Sequence, residues 1–125
     1  MIHFTVQGTP VTKKNSQRIV WNPRTKRYLI QPSVTFVRYE YEALKQIPES
    51  LIDYPVNVAA VFYMPTKRKV DLVNLQEAIL DVMVKAGCII DDNSSIVVSM
   101  DGSKVKYDKE NPRTEITITR IEAKE

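Results

Sequence analysis

Cysteine, histidine and glycine are scarce in this chain of 125 residues, numbering one, one and three. A lone thiol, Cys88, excludes an internal disulfide, fits a reducing cytoplasm and reads as a small apolar filler in or beside the core. His3 has no cysteine or histidine partner, so a zinc site is not supported. Three glycines give no phosphate-binding glycine loop, and serine or cysteine nucleophile motifs are missing as well. No apolar run approaches the roughly 20 residues a membrane-crossing helix needs, which leaves no membrane among the expected partners. Met1 leads straight into the alternating segment Ile2-His3-Phe4-Thr5-Val6, with no sign of a secretory leader, and a cytoplasmic location is expected. With no repeat, low-complexity tract or linker, residues 1–125 are expected to form a single domain.

Charge is present in quantity, but it is unevenly spread. Residues 1–70 hold 11 Lys/Arg against 4 Asp/Glu, whereas residues 71–125 hold 7 against 11. The basic residues concentrate at Lys13, Lys14, Arg18, Arg24, Lys26 and Arg27, and again at Lys67, Arg68 and Lys69, in stretches rich in turn formers. Such clusters suit phosphate contacts, and equally suit solvated loops.

Residues 2–7 alternate as a half-buried strand, and Arg18–Ile30 reads as two short strands around a turn at Asn22-Pro23-Arg24-Thr25, with Trp21 facing Tyr28. Ser33 is a plausible N-cap for a helix to about Gln46. Val56–Met64 is too continuously apolar for an edge and predicts a central strand. A second helix is predicted from about Leu72 to Ala86, with Gly87 at the left-handed C′ position. Its core face is Leu72, Leu75, Ile79, Val82, Met83 and Ala86. A narrower stripe, Val73, Leu80 and Val84, is interrupted by Glu77 and predicts a second buried side, for which another subunit is a candidate partner. Ser95–Met100 is strand-like, Asp101-Gly102 is a turn signal after which Lys104–Tyr107 continues the pairing, and Arg113–Ile121 alternates as a last strand. The order implies an α+β domain: a mixed sheet of four or more strands, two main helices and a basic N-terminal hairpin.

A hard cation such as Mg²⁺ takes oxygen ligands, so phosphodiester cleavage calls for carboxylates beside cationic groups that hold the backbone. Asp71, at the entry to the second helix, and Asp91 and Asp92, beyond its far end on a loop free to fold back, are the candidates. Asp71 also suits a helix cap, and Asp91-Asp92-Asn93-Ser94 also suits a plain turn. Asp81 stands about 15 Å along the helix from Asp71 and is assigned to a neighbouring polar face. Trp21, Tyr28, Tyr39 and Tyr41 suit base stacking in a single-stranded nucleic-acid binder, and a core or dimer interface equally well.

Pro10-Val-Thr-Lys-Lys-Asn-Ser16, Asp71-Leu-Val-Asn-Leu-Gln76, Ala78-Ile-Leu-Asp81, Lys85-Ala-Gly87, Asp91-Asp92 and Asn111-Pro-Arg-Thr-Glu-Ile116 span nearly the whole chain. In these the sequence resembles the RusA family of Holliday junction resolvases, small endonucleases common in prophages. The resemblance implies a homodimer that cuts paired strands of branched DNA, a four-way junction, with Mg²⁺ or alternatively Mn²⁺ as cofactor. It carries Asp71 and Asp92 over as catalytic metal ligands, Asp91 as a contributor and Asn74 as a motif position. Lys13, Lys14, Asn15, Arg18, Lys67, Arg68 and Lys69 are then expected to bind DNA. The family pattern has an aspartate and a lysine where this chain has Val73 and Glu77. Glu77, one turn from Val73, is expected to supply the missing carboxylate; the alternative is a catalytically impaired, junction-binding or regulatory protein.

Overall fold

The computed structural model describes residues 1–13 and 17–122, leaving aside the side chains of Gln17, Arg18 and Pro32. Along the chain these form β1 (Ile2–Gln7), β2 (Gln17–Asn22), β3 (Arg27–Pro32), α1 (Val34–Leu44), β4 (Val56–Met64), α2 (Leu72–Lys85), β5 (Val97–Ser99), β6 (Lys104–Tyr107) and β7 (Arg113–Arg120). This is the expected α+β domain with a mixed sheet, two helices and a separate hairpin.

The sheet is ordered β1-β7-β4, antiparallel at both junctions, with β5 and β6 side by side in sequence along the far edge of β4. β4 is therefore interior, as its apolar run predicted. Period-two alternation splits its residues between two environments. Val56, Val58, Ala60 and Phe62 are buried with Ile116 and Ile118 of β7, while Asn57, Ala59, Val61 and Tyr63 are half-buried on the other face. The first set packs with Phe36 and Ala43 of α1 and with Leu75, Ala78, Ile79, Val82 and Met83 of α2, so both helices share one core. Cys88 lies in that core, and burial pushes its thiol up to about 11, which leaves it an unreactive filler.

Where the sequence suggested that Lys104–Tyr107 continues a hairpin with the preceding strand, the structure differs. β5 pairs parallel with Val56 and Asn57, β6 pairs parallel with Val61–Met64, and the two do not pair with each other. The Asn57 amide accepts from Ser99 Oγ at 2.6 Å and from the Asp101 N–H at 2.8 Å, and donates to the Asp101 carbonyl at 3.1 Å. These bonds hold residues 99–101 beside β4 as a jog, and Ser103 Oγ accepting from the Ala60 N–H at 3.1 Å restarts the pairing. The β4-α2-β5 crossover follows from the parallel pairing.

Both helix starts fall at the expected caps. Ser33 Oγ accepts from the Phe36 N–H at 3.2 Å, and α1 ends at Leu44, one turn short of Pro48. No helix is long and apolar enough to cross a membrane among the described residues.

Candidate functional site

α2 positions an acidic group at each of its ends. At the start, Asp71 caps the helix: its carboxylate accepts from the Val73 N–H at 3.2 Å while the side chain stays exposed. Immediately before it, Lys67, Arg68 and Lys69 are all exposed, and the Lys67 ammonium lies 5.5 Å from the centre of the Tyr107 ring. At the other end, Gly87 takes φ 77°, a left-handed conformation that glycine adopts without strain. The Gly87 N–H reaches the Val84 carbonyl at 3.0 Å and the Cys88 N–H reaches that of Met83 at 3.0 Å, closing the last turn. The chain reverses there, buries Cys88 and Ile89 and emerges at Asp91.

Asp91 is tied into the turn that follows. Its carboxylate accepts from the Asp92 N–H at 2.7 Å and from Asn93 Nδ2 at 3.0 Å, bonds that hold it below the usual carboxylate range. Asp92 behaves oppositely. Loss of water around it, then the Asp91 carboxyl and the charge of Asp81, push its carboxyl upward.

A cleft of about 370 Å³ accounts for the influence of Asp81. Its walls are Phe36, Val37 and Glu40 of α1, Asp81, Val84 and Lys85 of α2, and Lys13 and Asp92 from the flanking chain. Lys13 Nζ lies 3.3 Å from the Asp81 carboxylate, and Lys85 Nζ lies 2.6 Å from that of Glu40. Asp92 thus has two ammonium groups and two further carboxylates around it. The sequence placed Asp81 on a separate polar face, and the structure lines the Asp92 cleft with it. Only the tightness of the reversal at Gly87, set by where Cys88 and Ile89 bury, decides that, and composition carries little trace of it.

Asp71 is not among the cleft residues. The 14 residues of α2 span roughly 21 Å, and Asp92 shares its cleft with Asp81, Val84 and Lys85 from the later part of that helix. Among the described residues, no three His, Cys, Asp or Glu side chains converge closely enough to hold a metal ion. Between the two ends, Val73 (65% exposed) and Glu77 share the outer face with the half-buried Leu80 and Val84. Of the expected DNA contacts, Lys13 stands at the Asp92 end and Lys67, Arg68 and Lys69 at the Asp71 end; Lys14, Asn15 and the Arg18 side chain lie outside the described residues.

Comparison with known proteins gives a coherent result. The family described as endodeoxyribonuclease RusA matches residues 4–119. A protein of Aquifex aeolicus (strain VF5) named crossover junction endodeoxyribonuclease RusA is 35% identical over 94 residues, covering 74% of this chain and 72% of that relative.

Proposed function

The chain belongs to the RusA family of endodeoxyribonucleases, and from that premise we propose that it is a Mg²⁺-dependent, homodimeric endonuclease that resolves four-way DNA junctions in recombination and repair, acting in the cytoplasm. The observation that carries the reading is the pair of exposed aspartates, Asp71 and Asp92, one at each end of α2 and each with its own lysines. One chain offers two half-sites, Asp71 before α2 and Asp92 in the cleft lined by the later part of that helix. A twofold axis across the outer face of α2, midway along it, sets two copies of the helix antiparallel and brings Asp71 beside the helix end of the partner that leads to its own Asp92. The apolar residues Val73, Leu80 and Val84 are spaced for such a seam, Val73 facing the partner's Val84 and leaving Glu77 as the polar interruption. One dimer then has two equivalent sites for a substrate that is itself nearly twofold.

The donor set fits a hard divalent cation. Asp71 and Asp92 offer carboxylate oxygens in water-accessible positions, and Asp92 lies among like charges that a cation would relieve. A bound Mg²⁺ supplies activation of water and charge stabilisation at the phosphate. The protein's own contribution is positional. Lys67, Arg68 and Lys69 hold phosphate oxygens at the Asp71 half of the site, and Lys13, kept at the cleft by Asp81, holds them at the Asp92 half. Asp91 fixes the turn that presents Asp92.

Glu77 is the third carboxylate in this reading. It is exposed on the side of α2 where Val73 has no polar group, and helical side chains lean toward the N-terminus, toward Asp71. Glu77→Gln is expected to slow junction cleavage about tenfold or more with binding retained; unchanged cleavage removes Glu77 from the chemistry. The whole proposal is tested on a synthetic four-way junction. Paired nicks that require Mg²⁺ or Mn²⁺ are expected. Tight binding without cleavage under any divalent ion would instead support a junction-binding protein, the reading favoured by the apolar Val73 at a position where the family pattern has an aspartate.

A further inference from the structure

The β2–β3 hairpin is built unlike the rest of the molecule. Among the described residues its strands pair only with each other, and such a ribbon is marginal unless a face is covered. The register sets Ile19 opposite Ile30 and Trp21 opposite Tyr28, all on one face. That face is open: Ile19 is 71%, Trp21 50%, Tyr28 73% and Ile30 70% exposed. The two aromatic rings lie 4.9 Å apart, tilted by 59°.

Charge indicates what covers this face. The chain has no Asp or Glu before Glu40, so every formal side-chain charge on the hairpin is positive. Arg24, Lys26 and Arg27 are exposed at its tip. The tip is closed by hydrogen bonds: Asn22 Oδ1 accepts from the Arg24 N–H at 3.0 Å, and the Asn22 carbonyl accepts from the Lys26 N–H at 2.9 Å with Lys26 at φ 55°. Two such hairpins would repel each other, whereas cations beside aromatic faces match phosphates beside unpaired bases. Within a duplex the flat faces of the bases are taken by their neighbours; at an opened branch point they are free. The hairpin is also a neighbour, along the chain, of residues that line the cleft. It begins four residues after Lys13 and ends just before α1, whose Phe36, Val37 and Glu40 line the same cleft as Lys13 and Asp92.

We propose that this hairpin is a wedge that stacks Trp21 and Tyr28 on bases unpaired at the centre of a branched DNA, while Arg24, Lys26 and Arg27 hold the flanking phosphates. The inference rests on the junction-nuclease reading and adds to it a surface that tells a junction from linear duplex. Apolar side chains inserted at a base step unstack it, and aromatic stacking tolerates any base, so the discrimination is by structure and not by sequence.

Trp21 is the only tryptophan, so its emission reports on the hairpin alone. The intact protein is titrated, without divalent ions, with a four-way junction and with linear duplex of the same sequence, binding being followed in parallel by gel shift. Quenching by the junction and little change with duplex is expected. Trp21→Ala is expected to weaken junction binding about tenfold and duplex binding less than twofold, with Trp21→Phe recovering most of the loss. Arg24→Ala weakens both DNAs alike and lowers the salt dependence of binding. Junction binding with unchanged Trp21 emission overturns the wedge and leaves the nuclease reading standing. Emission that follows protein concentration and ignores DNA also overturns it, assigning the face to a second copy. Failure of the wild-type protein to bind junctions removes both.

Discussion

Asp71→Asn is expected to reduce four-way junction cleavage by about a hundredfold or more, with folding unchanged and junction binding equal or tighter. The substitution separates the observed capping role of Asp71 from its proposed role as a metal ligand. As a helix cap Asp71 only needs an oxygen to accept the Val73 N–H, and asparagine offers one of nearly equal capping value. As a metal ligand it needs its negative charge. A hundredfold loss corresponds to about 2.7 kcal/mol of transition-state stabilisation, far outside the few tenths expected from exchanging one good cap for another. Binding tightens, if it changes, because a negative charge beside Lys67, Arg68 and Lys69 has been removed. Rates under single-turnover conditions and thermal unfolding of the same samples check this. Asp71→Ala is a poorer test, since loss of the cap alone costs about 1 kcal/mol.

Asp92→Asn is expected to cause a loss of cleavage of similar size, again without loss of stability. Here the sign of the titration decides the stability outcome. The Asp92 carboxyl is raised by desolvation and by Asp91 and Asp81, so the folded protein prefers it protonated. Its favourable contribution to stability is present below the ordinary carboxylate pKa and is lost as pH rises through the higher folded value. At neutral pH an uncharged asparagine therefore stabilises slightly or has no effect. The proposed ligand role requires the reverse state, because a carboxylate ligand must be ionised. Cleavage is expected to fall on acidification as Asp92 takes up its proton, and Asp81→Asn, which removes one of the charges that raise Asp92, moves that fall to lower pH. A pH–rate profile whose acid limb is unmoved by Asp81→Asn contradicts the coupling.

Much of this arrangement could be read from local signals. Asp71 and Gly87 mark the two ends of α2, Ser33 marks the start of α1, and the apolar run Val56–Met64 is the interior strand. Trp21 and Tyr28 meet as their spacing around the turn predicted. What stayed out of reach depends on long-range contacts. Asp101-Gly102 has the composition of a hairpin turn, yet the hydrogen bonds of Asn57, 44 residues earlier, hold it in a jog and send β5 and β6 onto β4. The approach of Asp92 to Asp81 depends on how Cys88 and Ile89 enter the core, and the separation of Asp92 from Asp71 on the rigid length of α2. Residue types identify the candidates for chemistry. Which of them meet within one chain is a matter of packing.

Purified heterodimers, one subunit carrying Asp71→Asn and the other Asp92→Asn, test the central claim most directly. If each site joins Asp71 of one subunit to Asp92 of the other, the heterodimer has one site with both changes and one site with neither. It is expected to nick one strand of a four-way junction with Mg²⁺, without the paired cut, while both mutant homodimers remain inactive. A heterodimer as inactive as either homodimer would contradict a site shared between subunits.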